Sequence, residues 1–220
     1  MTPLPDVHTP TSDAFAERIA SAAALPAAKK QVAELVQSAR RVDPSFCTHA
    51  MSVLSLSARI GIVLGLRKRE LRTLEVAAAL HDIGKVTVPP EVLAKSGPLD
   101  ESEWAYVRAH PVEGERLLAP YITSASVLQI VRSHHERWDA NGYPDRLAGP
   151  TIPLGARIVA VADAYVAMLE RRPYRAPLSN GSARAELMRE RGRQFDAECV
   201  RAALLVTRAD RRAAATPVPA

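Results

Sequence analysis

The chain has 220 residues, 47% hydrophobic, 24% charged and 5% aromatic, with a formal net charge of +5; that suits one catalytic-sized domain around one sizeable core. Its apolar runs, such as 76–80 and 158–162, are too short to cross a bilayer, and the Arg-rich stretches near 171–193 and 208–212 form no interleaved aromatic pattern, so neither a membrane nor DNA is expected as a partner. No basic-then-apolar secretion signal opens the chain, and Cys47 and Cys199 lie outside any C-x-x-C pair, so the expectation is a soluble, cytoplasmic protein with reduced thiols, Cys47 acting as a small buried hydrophobe.

Residues 1–12 carry three prolines and no periodic pattern, and read as a disordered lead-in. A helical segment over 13–41 follows, with Ser12 able to cap a helix over 13–25 and a second helix over 27–41. Leu56, Ile60, Val63 and Leu64 recur at helical spacing on a segment opening near Ser45, which places His49 on a largely buried helix. The next helix, from about Arg67, carries Leu71, Leu74, Ala78 and Leu80 to His81 and Asp82, and Gly84 with Pro89 and Pro90 ends it. Asp100 and Glu103 resemble a capping box that opens a helix toward His110, where Pro111 interrupts it. A helical run over 124–138 carries His134 and His135, 139–149 is loop, and Pro153 suits the first turn of a helix in which Asp163 sits among Ile158, Val161, Ala162, Tyr165 and Leu169. No convincing run of alternating strands and no internal repeat occurs, so the fold class is all-α, and residues 208–220 read as a flexible tail.

Five of the six histidines, His49, His81, His110, His134 and His135, join Asp82 and Asp163 in a set of imidazoles and carboxylates suited to divalent cations. Taken singly, each has a plainer reading: His49 or His110 as a core histidine bonded to backbone, Asp163 as a carboxylate paired with Arg157. Their joint occurrence with His-Asp-Ile-Gly-Lys at 81–85 favours metal. Adjacent helix residues point about 100° apart, so His81 and Asp82 suit two ions better than one. Asp82 is the natural bridge between an ion held by His49, His81 and Asp163 and another held by His110, His134 and His135. Two bridged cations acidify a water between them and clamp a phosphoryl group for in-line attack.

At this point the motifs resemble those of the HD-GYP subgroup of HD-superfamily metal-dependent phosphohydrolases. The resemblance covers roughly 45–206, with HDIGK at 81–85, HHERWDANGYP at 134–144, IPLGARIVAVAD at 152–163, RPYR at 172–175 and QFDAE at 194–198. It implies an HD-domain helical bundle with the HD-GYP extension as a catalytic domain over 42–207. It also implies two or three metal ions, often iron or manganese, and hydrolysis of cyclic di-GMP to pGpG or GMP through a metal-bridged hydroxide; cyclic GMP-AMP stays open as substrate. By position, the seven residues above look like metal ligands. Lys85 looks like the catalytic and substrate-binding group at the scissile phosphate, Arg172 and Arg175 look like contacts to the dinucleotide phosphates, and Gly142, Tyr143 and Pro144 look like an interaction loop. Independently, a lysine beside the cluster could offset developing charge, and arginine forks could hold phosphate oxygens bidentately.

The chain departs from the family where Ser45 stands in place of the glutamate of trinuclear members, which favours two ions, and Asp43 has the wrong helical offset to replace it. Ala140 and Arg146 stand where the loop usually has glycine, and Val166 replaces a frequent aspartate. The altered loop motivates an alternative: a catalytically weak cyclic-dinucleotide receptor or interaction module that meets a diguanylate cyclase-type partner through Tyr143. A homodimer is also open, and a nucleotide mono- or triphosphate hydrolase is a third reading.

Overall fold

The computed structural model describes residues 12–23, 25–171 and 176–214. Ten α-helices and three short 3₁₀ turns carry them, with no strand among the described residues; the bridges Asp139 with Ala148 and Arg191 with Phe195 are isolated. The all-α expectation holds. Helix α1 (Ser12–Ala23) precedes a 3₁₀ turn over Pro26–Ala28 and α2 (Lys29–Val42). Next come α3 (Phe46–Val63) and α4 (Lys68–Leu80). A 3₁₀ turn over Ile83–Thr87 leads to α5 (Pro90–Leu93), α6 (Glu101–Leu118) and α7 (Ala125–Ser133). The 3₁₀ turn Gly149–Thr151 precedes α8 (Leu154–Leu169), α9 (Asn180–Arg189) and α10 (Ala197–Ala214).

Helix α3 packs on α4, α8 and α10, while α6 packs on α7 and on the 3₁₀ turn that follows α4. One apolar core runs through them: Phe15, Ile19 and Val36 share it with Leu74, Leu80, Ile83, Leu118 and Ile158. Burying such side chains is worth about 1.5–3 kcal/mol each, enough to hold polar groups inside the bundle. By length and composition α3 could cross a membrane, against the expectation that no segment could, but half of it is buried inside the protein. Its inward face carries His49 among Cys47, Val53 and Ile60. Cys47 and Cys199 are both buried and unbridged.

Local signals explain most helix ends. The Asp100 carboxylate accepts the Glu103 amide at 2.9 Å while the Glu103 carboxylate accepts the Asp100 amide at 2.8 Å, a full capping box on α6. Asp196 accepts the Glu198 amide at 2.7 Å and so caps α10. Three expectations need correction. Pro111 lies inside α6, which runs on to Leu118. The run over 124–138 stops at Ser133, because the following residues turn into the loop. Helix α10 continues to Ala214, past the boundary expected at 207.

Candidate metal centre

Five helices, far apart in sequence, bring the donor atoms together. His49 comes from α3, His81 and Asp82 from the end of α4, His110 from α6, His134 and His135 from the end of α7, and Asp163 from α8. Asp82 lies at the middle: its Oδ2 is 3.3 Å from His81 Nε2 and 4.0 Å from His49 Nε2, and its Oδ1 is 3.2 Å from His110 Nε2 and 4.0 Å from His134 Nε2. Asp163 Oδ1 lies 3.0 Å from His49 Nε2 and 3.9 Å from His81 Nε2. Two donor groups result, Asp82 with His110, His134 and His135, and Asp82 with His49 and His81, and in each the ligating atoms lie within 4.8 Å of one another. Asp82 belongs to both.

The ring tautomers follow from the neighbours. His81 Nδ1 lies 2.8 Å from the Ala78 carbonyl, His110 Nδ1 2.6 Å from the Val107 carbonyl, and His134 Nδ1 2.6 Å from the Val131 carbonyl. A carbonyl can only accept, so each Nδ1 carries the proton and each Nε2 presents a lone pair to the cluster. Yet His110 Nε2 faces His134 Nε2 at 3.1 Å, lone pair to lone pair in the neutral rings. His81 Nε2 and Asp82 Oδ1 are buried without a hydrogen-bond partner. Buried polar groups normally find partners, and a divalent cation in each donor group would satisfy these atoms. The donor set therefore fits metal, and its imidazole-carboxylate mix suits first-row divalent ions.

His49 differs from the other three. Its Nδ1 is 2.9 Å from Glu170 Oε2 and its Nε2 3.0 Å from Asp163 Oδ1, so both nitrogens donate and the ring is an imidazolium. Burial works to lower its pKa, but the bonds to Asp163 and Glu170 and the charge of Asp82 raise it to about 10. Burial likewise works to raise the carboxyl groups of Asp82 and Asp163, and the cations beside them win: the Lys85 ammonium holds Asp82 well below the usual range, and the His49 imidazolium holds Asp163 there. Burial pushes His134 well below its usual value and His135 down to about 3, so both stay neutral, the form that ligates. A cation at His49 Nε2 must displace a proton.

Gly84 lets the turn after α4 approach. A Cβ there would lie 2.0 Å from the His110 carbonyl oxygen and 2.6 Å from the Gly114 nitrogen, both backbone atoms of α6. That contact seats Asp82 against His110. Lys85 leaves the same turn with Nζ 2.6 Å from Asp82 Oδ2, one quarter exposed, at the rim of the cluster.

The loop after α7 forms one wall. The Tyr143 ring stacks on His135 at 4.9 Å, and Gly142 is buried where a Cβ would meet the Arg137 nitrogen at 2.3 Å. Glu136 braces the loop by accepting the amides of Asp145 at 2.6 Å and Leu147 at 3.0 Å. Arg132 holds Asp145 with two bonds of 2.7 and 2.8 Å. Ala140 and Arg146 sit at φ 63° and 54°, the left-handed region that glycine tolerates best. Of the interaction loop, Gly142 is buried and Tyr143 and Pro144 are half-buried, so Tyr143 supports the site as much as it offers a surface.

Arg157 pairs with Asp196 at 2.7 Å, so Asp163 is not its partner. The Ser45 hydroxyl donates to Asp43 at 2.7 Å. Arg172 and Arg175 lie outside the described residues. Glu170 and Glu136 escaped the sequence reading: Glu136 adjoins the His pair and could have been flagged by that adjacency, whereas Glu170 follows the last turn of α8 and carries no local signal.

The HD domain family model matches residues 16–199. The chain belongs to the HD domain family. Similar proteins include the cyclic di-GMP phosphodiesterase response regulator RpfG of Xanthomonas campestris, 46% identical over 145 residues, which are 64% of this chain and 38% of that protein. The 3'3'-cGAMP-specific phosphodiesterase 2 of Vibrio cholerae is 36% identical over 156 residues, covering 69% of this chain and 30% of that protein. The chain thus spans less than two fifths of the length of these curated relatives. Among solved structures, the HDG"Y"P protein Bd1817 of Bdellovibrio bacteriovorus overlays with a TM-score of 0.66 at 16% identity, covering 90% of this chain and 69% of that one, a likeness of fold.

Proposed function

We propose that this HD domain is a metal-dependent phosphodiesterase that opens cyclic di-GMP to pGpG or GMP, with 3'3'-cyclic GMP-AMP as the competing substrate. The observation that carries the reading is Asp82, one carboxylate shared by two clusters of imidazole donors, with its Oδ1 and the Nε2 of His81 buried without a hydrogen-bond partner. The names of the curated relatives point to cyclic dinucleotides. His49, His81 and Asp163 would hold one cation, His110, His134 and His135 the other, Asp82 both, with iron or manganese as the metals. Such a pair supplies an acidified water as nucleophile and neutralises the phosphoryl oxygens.

The chain's own residues do the rest. Lys85, at the rim beside Asp82, would turn its ammonium to the scissile phosphate and offset the charge that develops there. Arg172 and Arg175 would hold the second phosphate. Tyr143, stacked on His135, closes one side and keeps bulk water from that imidazole. The catalytic unit is read as 42–207, buttressed by the helices over 13–41, and the reduced state of Cys47 and Cys199 accords with a cytoplasmic protein.

Purified protein loaded anaerobically with Fe(II) or Mn(II) is expected to release linear pGpG or GMP from cyclic di-GMP, read by chromatography, and His81→Ala and Asp82→Ala to release none. Preference for 3'3'-cyclic GMP-AMP in the same assay would move the substrate assignment. Tight binding with turnover far below about 0.01 per second, against an enzyme range of roughly 1–1000, would make the protein a receptor instead.

A further inference from the structure

His81 and His134 each follow the last residue of a helix, α4 and α7, and each gives its Nδ1 proton to a carbonyl of the final turn, Ala78 and Val131. Carbonyls there are free to accept, because the last four of any α-helix have no amide partner within it. His110 makes the same bond, to the Val107 carbonyl at 2.6 Å, but from the middle of an 18-residue helix. In that interior every carbonyl is ordinarily claimed by the amide four residues on. For Val107 that amide belongs to residue 111, which is proline and has none.

We infer that Pro111 is a positioning residue for the metal centre: by deleting one amide inside α6 it leaves the Val107 carbonyl open to His110 Nδ1–H, which fixes the tautomer and aims Nε2 at Asp82 and His134. The substitution creates, in the middle of a helix, the condition that His81 and His134 find at helix ends. It also explains why a helix interior tolerates the residue that most disfavours it. The orientation that results is visible in the 3.2 Å from His110 Nε2 to Asp82 Oδ1 and the 3.1 Å to His134 Nε2. The inference rests on the proposed metal centre for its purpose, but the tautomer stands apart from it.

The test is Pro111→Ala in the full chain, with Pro111→Gly as the second variant should alanine fail to fold. Long-range proton–nitrogen correlation spectra of the metal-free protein read the His110 tautomer directly, and a Mn(II) titration reads affinity. Wild type is expected to show the proton on His110 Nδ1. The variant is expected to lose that single tautomer and to bind Mn(II) roughly 10- to 100-fold more weakly, the usual effect of removing a group that orients a ligand. The thermal midpoint of the metal-free variant should be unchanged or higher, since a helix-breaking ring has gone. A variant that keeps the Nδ1–H tautomer overturns the inference, as does wild-type Mn(II) affinity with a raised midpoint, which would make Pro111 a tolerated passenger. A tautomer that changes as expected while wild type itself holds no Mn(II) supports the positioning role and defeats the metal reading instead.

Discussion

Four imidazoles of the centre, His49, His81, His110 and His134, are held by an oxygen on the far nitrogen, and among these four only His49 takes that oxygen from a side chain, Glu170. Glu170→Ala should therefore weaken Mn(II) binding by roughly 10- to 100-fold, while Glu170→Gln, whose amide oxygen still accepts the proton, should lose far less. Titration of both variants against wild type checks this. His49 also gives the site a pH signature. Its pKa without cation is raised to about 10 from 6.5, so protonation stabilises the fold fully below about pH 6.5, and that contribution is lost as pH rises through 10. In chelator, the melting midpoint should fall over that window, and His49→Gln should flatten the fall. Cation affinity should move the opposite way, tightening as pH rises, because the cation displaces the His49 proton.

At the level of helices and turns, close approach governs. Gly84→Ala places a methyl 2.0 Å from the His110 carbonyl oxygen, backbone that cannot rotate aside, so the turn bearing Asp82 must retreat from α6. A loss of about 2–3 kcal/mol in denaturant unfolding is expected. Ala140 at φ 63° lies in the opposite situation: Ala140→Gly should leave stability equal or raise it by about 0.5–1 kcal/mol, since relief of left-handed strain outweighs the added chain entropy. Helix boundaries with capping chemistry were legible in the chain, Asp100 with Glu103 most clearly. The sequence places a break at Pro111 because the rule for proline counts the amide it removes, and nothing local reveals that an imidazole takes the vacated carbonyl. The end of α7 was placed too late for a related reason: the amides of Asp145 and Leu147 bond to Glu136, a contact between residues nine and eleven apart.

Across the whole molecule, one core orders five helices whose ends and inner faces carry the polar cluster. The residue types and the His-Asp-Ile-Gly-Lys signature revealed the donor set, because imidazoles and carboxylates are costly on apolar faces without a purpose. The route by which the fold supports them was not legible: Glu170 reaches across to His49 over 121 positions, and Arg157 turns to Asp196 rather than to Asp163. Because a cation binds the folded cluster and not the scattered donors of the unfolded chain, saturating Mn(II) should stabilise the protein by about 2.7 kcal/mol at a hundredfold excess over its dissociation constant. Calorimetry with and without chelator measures that shift.

The central claim is that Asp82 joins two cation sites. Anomalous diffraction from Mn(II)-loaded crystals tests it most directly: two peaks per chain, about 3.5–4 Å apart and flanking the Asp82 carboxylate, are expected. A single peak, or metal bound away from Asp82, would contradict it.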